Sequence, residues 1–137
     1  MASDRLRGNS EVTVVLLDTN AIFMIFEFSI DICSELTRLL GSYTIKIPEA
    51  VVHEIKIIGN KGKGKQKNLA KPALQFINRY SQLSHDQYDT VDNAILHVAS
   101  DLDAVVVTND KSLRERLKEK RVSRIFLRGK QRLILER

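Results

Sequence analysis

"VVLLDTNAIF", residues 14–23, decides how the rest of this chain is read. Val14 to Leu17 is an unbroken aliphatic run, the pattern of a short strand covered on both faces in a parallel sheet. The run ends on a charge, Asp18, followed by Thr19 and Asn20 before apolar residues resume. Two readings account for that switch. Asp18 can cap a helix starting near Ala21, or it can be a carboxylate delivered to the carboxyl edge of a sheet, where open α/β folds bind their ligands.

Working outward, the same alternation repeats. Residues 12–17, 104–107 and 125–127 are β-rich runs, 44–47 is a weaker one, and "RLILE" at 132–136 reads as a last strand returning on 125–127 after a turn at 128–131. Helical patterns fill the intervals 21–28, 30–40, 49–58, 66–81, 91–101 and 112–120. In the fifth, Ile95, Leu96, Val98, Ala99 and Leu102 recur at helical spacing and predict a core-facing stripe. Pro48 sits where a first helical turn accepts it. Alternation of this kind predicts a three-layer α/β/α domain with a twisted, mainly parallel sheet of four to five strands. Right-handed crossovers then bring the carboxyl ends of the strands to one edge.

The chain of 137 residues accommodates one domain, residues 12–137, preceded by a flexible polar tail over 1–11. The single cysteine, Cys33, excludes an intramolecular disulfide and a cysteine-built zinc cluster. No apolar run approaches a membrane span and the first residues carry no signal-peptide core, so a cytoplasmic setting is expected. A net charge of +5 and a pI near 9.5 point to a polyanionic partner. The charge is concentrated in "KGKGKQKNLAK" (61–71), which holds Lys61, Lys63, Lys65, Lys67 and Lys71 and no acid. Glycine–lysine alternation predicts a mobile loop over about 59–66, suited to sequence-independent contact with phosphates.

Four acids occupy corresponding places. Asp18 and Asp110 each follow an apolar strand, Asp92 opens the best helix, and Glu54 lies on the helix after the second strand. Hard divalent cations require oxygen ligands of this kind, and a carboxylate cluster around Mg²⁺ or Mn²⁺ can activate water against a phosphoryl group. Each acid also has a local explanation. Asp18 and Asp110 can be helix caps, Asp89 can cap the helix near Thr90, and Glu54 can be a solvated residue paired with Lys56 or Lys61. Capping accounts for an acid after a strand, yet it does not require a wholly apolar strand to deliver it each time.

"LLDTNAIF", the glutamate of "PEAVVHEI", "DNAILHVASDLDAVVVTND" and "KSLRERL", in that order, resemble a PIN domain, a family of metal-dependent nucleases. The resemblance spans about residues 13–135. It implies that Asp18, Glu54, Asp92 and Asp110 form the catalytic, metal-binding set for one or two Mg²⁺ or Mn²⁺ ions. It also implies that Thr19 and Asn20 orient the first aspartate, that Thr108 is the threonine of the T-x-D segment, and that Asp89 is a cap or an outer acid. Asn93 stands where some members have a second aspartate, which leaves the ligand set open.

The expected activity is hydrolysis of RNA phosphodiester bonds. The lysine-rich segment and the closing "RIFLRGKQRLILE" look like archaeal PIN proteins of ribosomal RNA processing. The alternatives are a toxin ribonuclease of the VapC kind with a small antitoxin partner, and an RNA-binding module with an unused site. A response-regulator-like domain wants an early pair of acids that this chain lacks. Phe23, Phe26 and Phe28 are read as core or as a homodimer face in preference to base-stacking residues. His53, His85 and His97 form no metal-ligand spacing, and His97 is read as a packed or hydrogen-bonded residue of the core-facing helix.

Overall fold

A computed structural model describes residues 12–129 and 132–137. The expected tail over 1–11 and part of the 128–131 turn lie outside the described residues. The chain runs β1 (Thr13–Leu17), α1 (Thr19–Glu27), α2 (Ile32–Leu40), β2 (Tyr43–Pro48), α3 (Glu49–Lys61), α4 (Gly64–Ile77), β3 (Ser81–Leu83), α5 (Val91–Leu102), β4 (Val105–Val107), α6 (Lys111–Glu119), β5 (Arg124–Arg128) and β6 (Arg132–Glu136).

The strands form one sheet in the order β3-β2-β1-β4-β5-β6, parallel throughout except where β6 returns antiparallel to β5. Helices cover the sheet, which is why the central strands are apolar at every position. Val15, Leu16 and Leu17 of β1 and Val105, Val106 and Val107 of β4 are all buried. The strand order reverses between β1 and β4, and the crevice at such a point is where a doubly wound sheet presents its ligand site.

The sheet has six strands, one more than the upper expectation. The additional one, β3, is a three-residue edge strand, Ser-Gln-Leu, paired with the end of β2. It is exposed and lacks β-branched residues, so it carries no strand pattern. The helix expected over 66–81 stops at Ile77 to make room for it. Pro48 is the last residue of β2 and the N-cap of α3, one step ahead of the expected first turn. Leu102 is 41% exposed at the end of α5, so it lies outside the buried stripe of Ile95, Leu96, Val98 and Ala99.

The largest difference concerns the lysine segment. Only Gly62 and Lys63 separate α3 from α4, so the expected mobile loop is a tight turn between two packed helices. Both flanking glycines are needed there. A Cβ on Gly62 would stand 2.5 Å from the Ile58 carbonyl oxygen, and Gly64 takes φ +68°.

Candidate active site

Three strand-to-helix junctions meet at the carboxyl edge of the sheet. The Asp18 amide donates to the Val107 carbonyl at 3.3 Å, continuing the β1–β4 pairing one residue past β1. Its backbone is extended, and Oδ1 accepts the Ala21 amide at 2.6 Å, so Asp18 caps α1. Oδ2 accepts the hydroxyl of Thr108, a wholly buried residue just after β4. The same hydroxyl accepts the Asp110 amide at 3.0 Å, and Asp110 Oδ1 accepts the Leu113 amide at 3.0 Å to cap α6. Asp92 lies in the first turn of α5, whose cap is Thr90. Glu54 projects from α3 and accepts the Thr19 hydroxyl. Asp18, Glu54, Asp92 and Asp110 all line one cleft of about 280 Å³, together with Thr19, Asn20, Phe23, Ile58, Gln66 and Val91.

The electrostatics of this cleft are unfavourable to its own charges. Burial raises the Asp18 carboxyl to about 7, against the downward pull of the Thr108 and Ala21 hydrogen bonds, and the negative charges of Asp92 and Asp110 add to the rise. Asp92 is also raised, by burial first and then by Asp110, with Glu54 adding and Arg116 opposing. All four acids are therefore linked through repulsion. Among the described residues, no three Asp, Glu, His or Cys side chains converge into a ready-made metal cage. The donor set fits a hard divalent cation. It is all oxygen, it carries excess negative charge, and Mg²⁺ takes only one or two carboxylates directly while keeping its waters.

A family model described as a PIN like domain matches residues 15–130. The chain belongs to the PIN-like family. Ribonuclease VapC9 of Archaeoglobus fulgidus is 24% identical over 136 residues, covering 99% of this chain and 98% of that protein. Ribonuclease VapC4 of Methanocaldococcus jannaschii is 30% identical over 120 residues, covering 85% of this chain and 91% of that protein. The solved structure of the PIN domain endonuclease Utp24 superposes with a TM-score of 0.74 at 22% identity, covering 90% of this chain and 91% of that one. That likeness gives the fold alone.

In this PIN-like chain the hydrogen bonds around the acids differ from those expected. Thr108, ninety residues from Asp18, holds it, whereas Thr19 holds Glu54. Asn20 Oδ1 accepts the Asn109 amide at 3.2 Å and thus ties α1 to the β4–α6 connection. Asp89 does not cap α5, because Thr90 does. Its carboxylate instead accepts from Asn93 Nδ2 at 2.5 Å, and that bond holds its pKa low. Asn93 in turn accepts from Arg116.

Of the lysines, Lys61 ends α3, Lys63 lies in the turn, and Lys65, Lys67 and Lys71 ride on α4. All five are exposed, and Lys65 pairs with Glu27 at 2.5 Å. Gln66, between two of them, reaches the cleft. Phe23 is buried and Phe26 stacks edge-on against Phe76, so these rings belong to the core.

Two residues at the site escaped sequence reasoning. Asn109 braces the site by accepting the Leu127 amide at 2.8 Å while its own amide bonds Asn20. Arg116 is the cation that moderates Asp92. Its position on α6, away from Asp92 in sequence, gave no signal.

Proposed function

We propose that this protein is an endoribonuclease that hydrolyses RNA phosphodiester bonds with Mg²⁺ or Mn²⁺. The reading is carried by one observation. A buried carboxylate, Asp18, sits at the β1–β4 switch point, is pushed up to about 7 by burial first and then by two further acids, and shares one cleft with them. Asp18, Asp92 and Asp110, with Glu54, would hold the metal. When bound, one or two such ions supply an activated water and neutralise charge developing on the phosphoryl oxygens.

The chain's own residues do the positioning. Thr108 fixes one oxygen of Asp18 while the α1 cap fixes the other. Thr19 restrains Glu54, which would bind metal or orient the attacking water. Arg116 keeps Asp92 from drifting further towards its neutral form. Lys61, Lys63, Lys65, Lys67 and Lys71 would attract the RNA backbone towards the cleft through counterion release, without reading sequence.

The activity is tested by incubating structured and single-stranded RNA with the protein and Mn²⁺ or Mg²⁺, beside an Asp18→Asn, Asp92→Asn double variant. Cleavage by the wild type alone is expected. Equal cleavage by both, or none by either, would overturn the reading.

Two biological settings suit this chemistry, both in the cytoplasm. Ribosomal RNA processing draws on the lysine-rich segment, whose loop is a two-residue turn in the fold, and on the closing "RIFLRGKQRLILE". A VapC-like role with an antitoxin partner gains from the two full-length relatives that bear that name. An antitoxin-sized protein encoded beside this chain that binds it and silences cleavage would decide for the second.

A further inference from the structure

Beside the catalytic cleft lies a second groove of about 440 Å³ that the metal chemistry does not use. Ala50, Ile57 and Ala94 make its aliphatic lining, and His53 and Tyr88 contribute rings. It is continuous with the cleft, since Glu54, Ile58 and Val91 line both. Ile57 is 45% exposed here, which leaves its side chain open to an occupant of the groove.

The far wall, residues 84–90, belongs to no helix or strand but is tied in place. His85 Nε2 accepts the Ala50 amide at 3.2 Å, and its Nδ1 lies 2.7 Å from the Asp86 carbonyl oxygen. Tyr88 is stacked on His97 at 4.7 Å with the rings 7° from parallel, and leans on His85 at 6.0 Å. His97 is exposed on α5 and packs its ring on this wall, consistent with the packed role expected for it.

We infer that this groove is a nucleobase subsite, receiving the base of a nucleotide whose phosphate lies at the cation that Asp18, Asp92 and Asp110 would hold. The inference rests on the endoribonuclease reading above and adds to it how the substrate is held. Its volume suits a nucleoside-sized group. The charged groups lining it, Glu54 and Asp89, are both acidic, so they repel a phosphate while leaving a neutral base unopposed. Aliphatic and aromatic surface matches the faces of a base, and the Thr90 hydroxyl and His53 imidazole offer polar partners for its edge. An unpaired base splayed from a single strand onto a ring is the usual way proteins hold RNA near a reacting phosphate. The substrate is therefore single-stranded at the cut.

The test is methyl NMR on the full chain with Mg²⁺, titrated with adenosine and uridine 5′-monophosphates and with ribose 5-phosphate. Both nucleotides should shift the Ile57 and Ala94 methyl signals, and ribose 5-phosphate should not. Tyr88→Ala should weaken that response about tenfold, within the range for stacking one base, while Tyr88→Phe keeps it. In cleavage assays, an abasic residue on one side of the scissile bond should slow the wild type by about the same factor. Ile57→Ala should narrow the difference between intact and abasic RNA. Absence of nucleotide-specific shifts, or equal shifts from ribose 5-phosphate, would overturn the subsite. Shifts without any RNA cleavage by the wild type would sink the nuclease reading and leave the subsite standing.

Discussion

Replacing Asp18 by asparagine should stabilise the metal-free protein at neutral and alkaline pH while destroying its response to metal. The Asp18 carboxyl rises from an ordinary 3.8 to about 7 on folding, chiefly through burial. A group raised in this way favours the folded state while it is protonated, and that contribution is lost as pH climbs from about 4 through about 7. Roughly three units correspond to at most about 4 kcal/mol of stability lost by pH 8. Asparagine is the neutral isostere. Its Oδ1 can still accept the Ala21 amide, and its Nδ2 can donate to Thr108 in place of accepting from it.

Urea unfolding of both proteins in chelator should therefore give similar stabilities at about pH 4 and below and a gap that widens from there to about pH 7–8, with the variant more stable. Glu35 and Asp89 are held low by Arg38 and Asn93 and tilt the curves the opposite way, but they do so equally in both proteins. Adding Mn²⁺ at pH 8 should raise only the wild type, by about 2.7 kcal/mol at a hundred times the dissociation constant. A variant less stable than the wild type at pH 8, or parallel pH slopes for the two, would refute the assignment of a buried, self-repelled carboxylate at this position.

Further consequences follow from the neighbours of that group. Thr108→Val removes the hydroxyl that donates to Asp18 and accepts from the Asp110 amide, and should lower metal affinity about 10- to 100-fold, read by Mn²⁺ titration; Thr108→Ser should retain most of it. Arg116→Met leaves burial, Asp110 and Glu54 all pushing Asp92 upward, so the acid limb of the cleavage pH profile should move to higher pH. Joint replacement of Lys63, Lys67 and Lys71 by alanine should weaken RNA binding similarly for all sequences and flatten its salt dependence, with unchanged cleavage once RNA is saturating. Gly62→Ala sets a Cβ against the Ile58 carbonyl and should lower the unfolding midpoint, whereas Lys63→Ala in the same turn should not.

The central strands were legible because burial on both faces leaves a mark on every residue. Val14–Leu17 and Ala104–Val107 admit no other economical reading. Edge elements leave no such mark, and Ser81–Leu83 is a strand only because the end of β2 offers it a partner. The lysine segment misled for a related reason. Gly59, Gly62 and Gly64 among exposed polar residues imitate a loop, although α3 continues through Lys61 and α4 already begins at Gly64. At the site, Asp18, Asp92 and Asp110 were visible because each stands at a strand or helix end, whereas Glu54, in the middle of α3, was visible through the family resemblance. Thr19 and Thr108 were visible as supports too, but which acid each holds was not, since that is chosen by packing across the sheet. Thr19 serves Glu54, thirty-five residues away, and Thr108 serves Asp18.

The capping and catalytic readings of Asp18 and Asp110 also cease to compete once their oxygens are counted. Capping occupies Oδ1 in each residue, and it places the amino ends of α1 and α6 against the two carboxylates. Asp92, in the first turn of α5, adds a third helix end with its partial positive charge. Three converging helix ends offset part of the repulsion among the acids and fix their directions before any cation arrives. The offset is incomplete, because Asp92 and Asp110 still add to the rise that burial gives Asp18. That residue of uncompensated charge is what a divalent ion would meet. A fully compensated cluster would be a stable structural feature with little affinity left for metal. The caps therefore serve the chemistry by holding ligands apart and aimed, at a cost in stability that Asp18→Asn should recover.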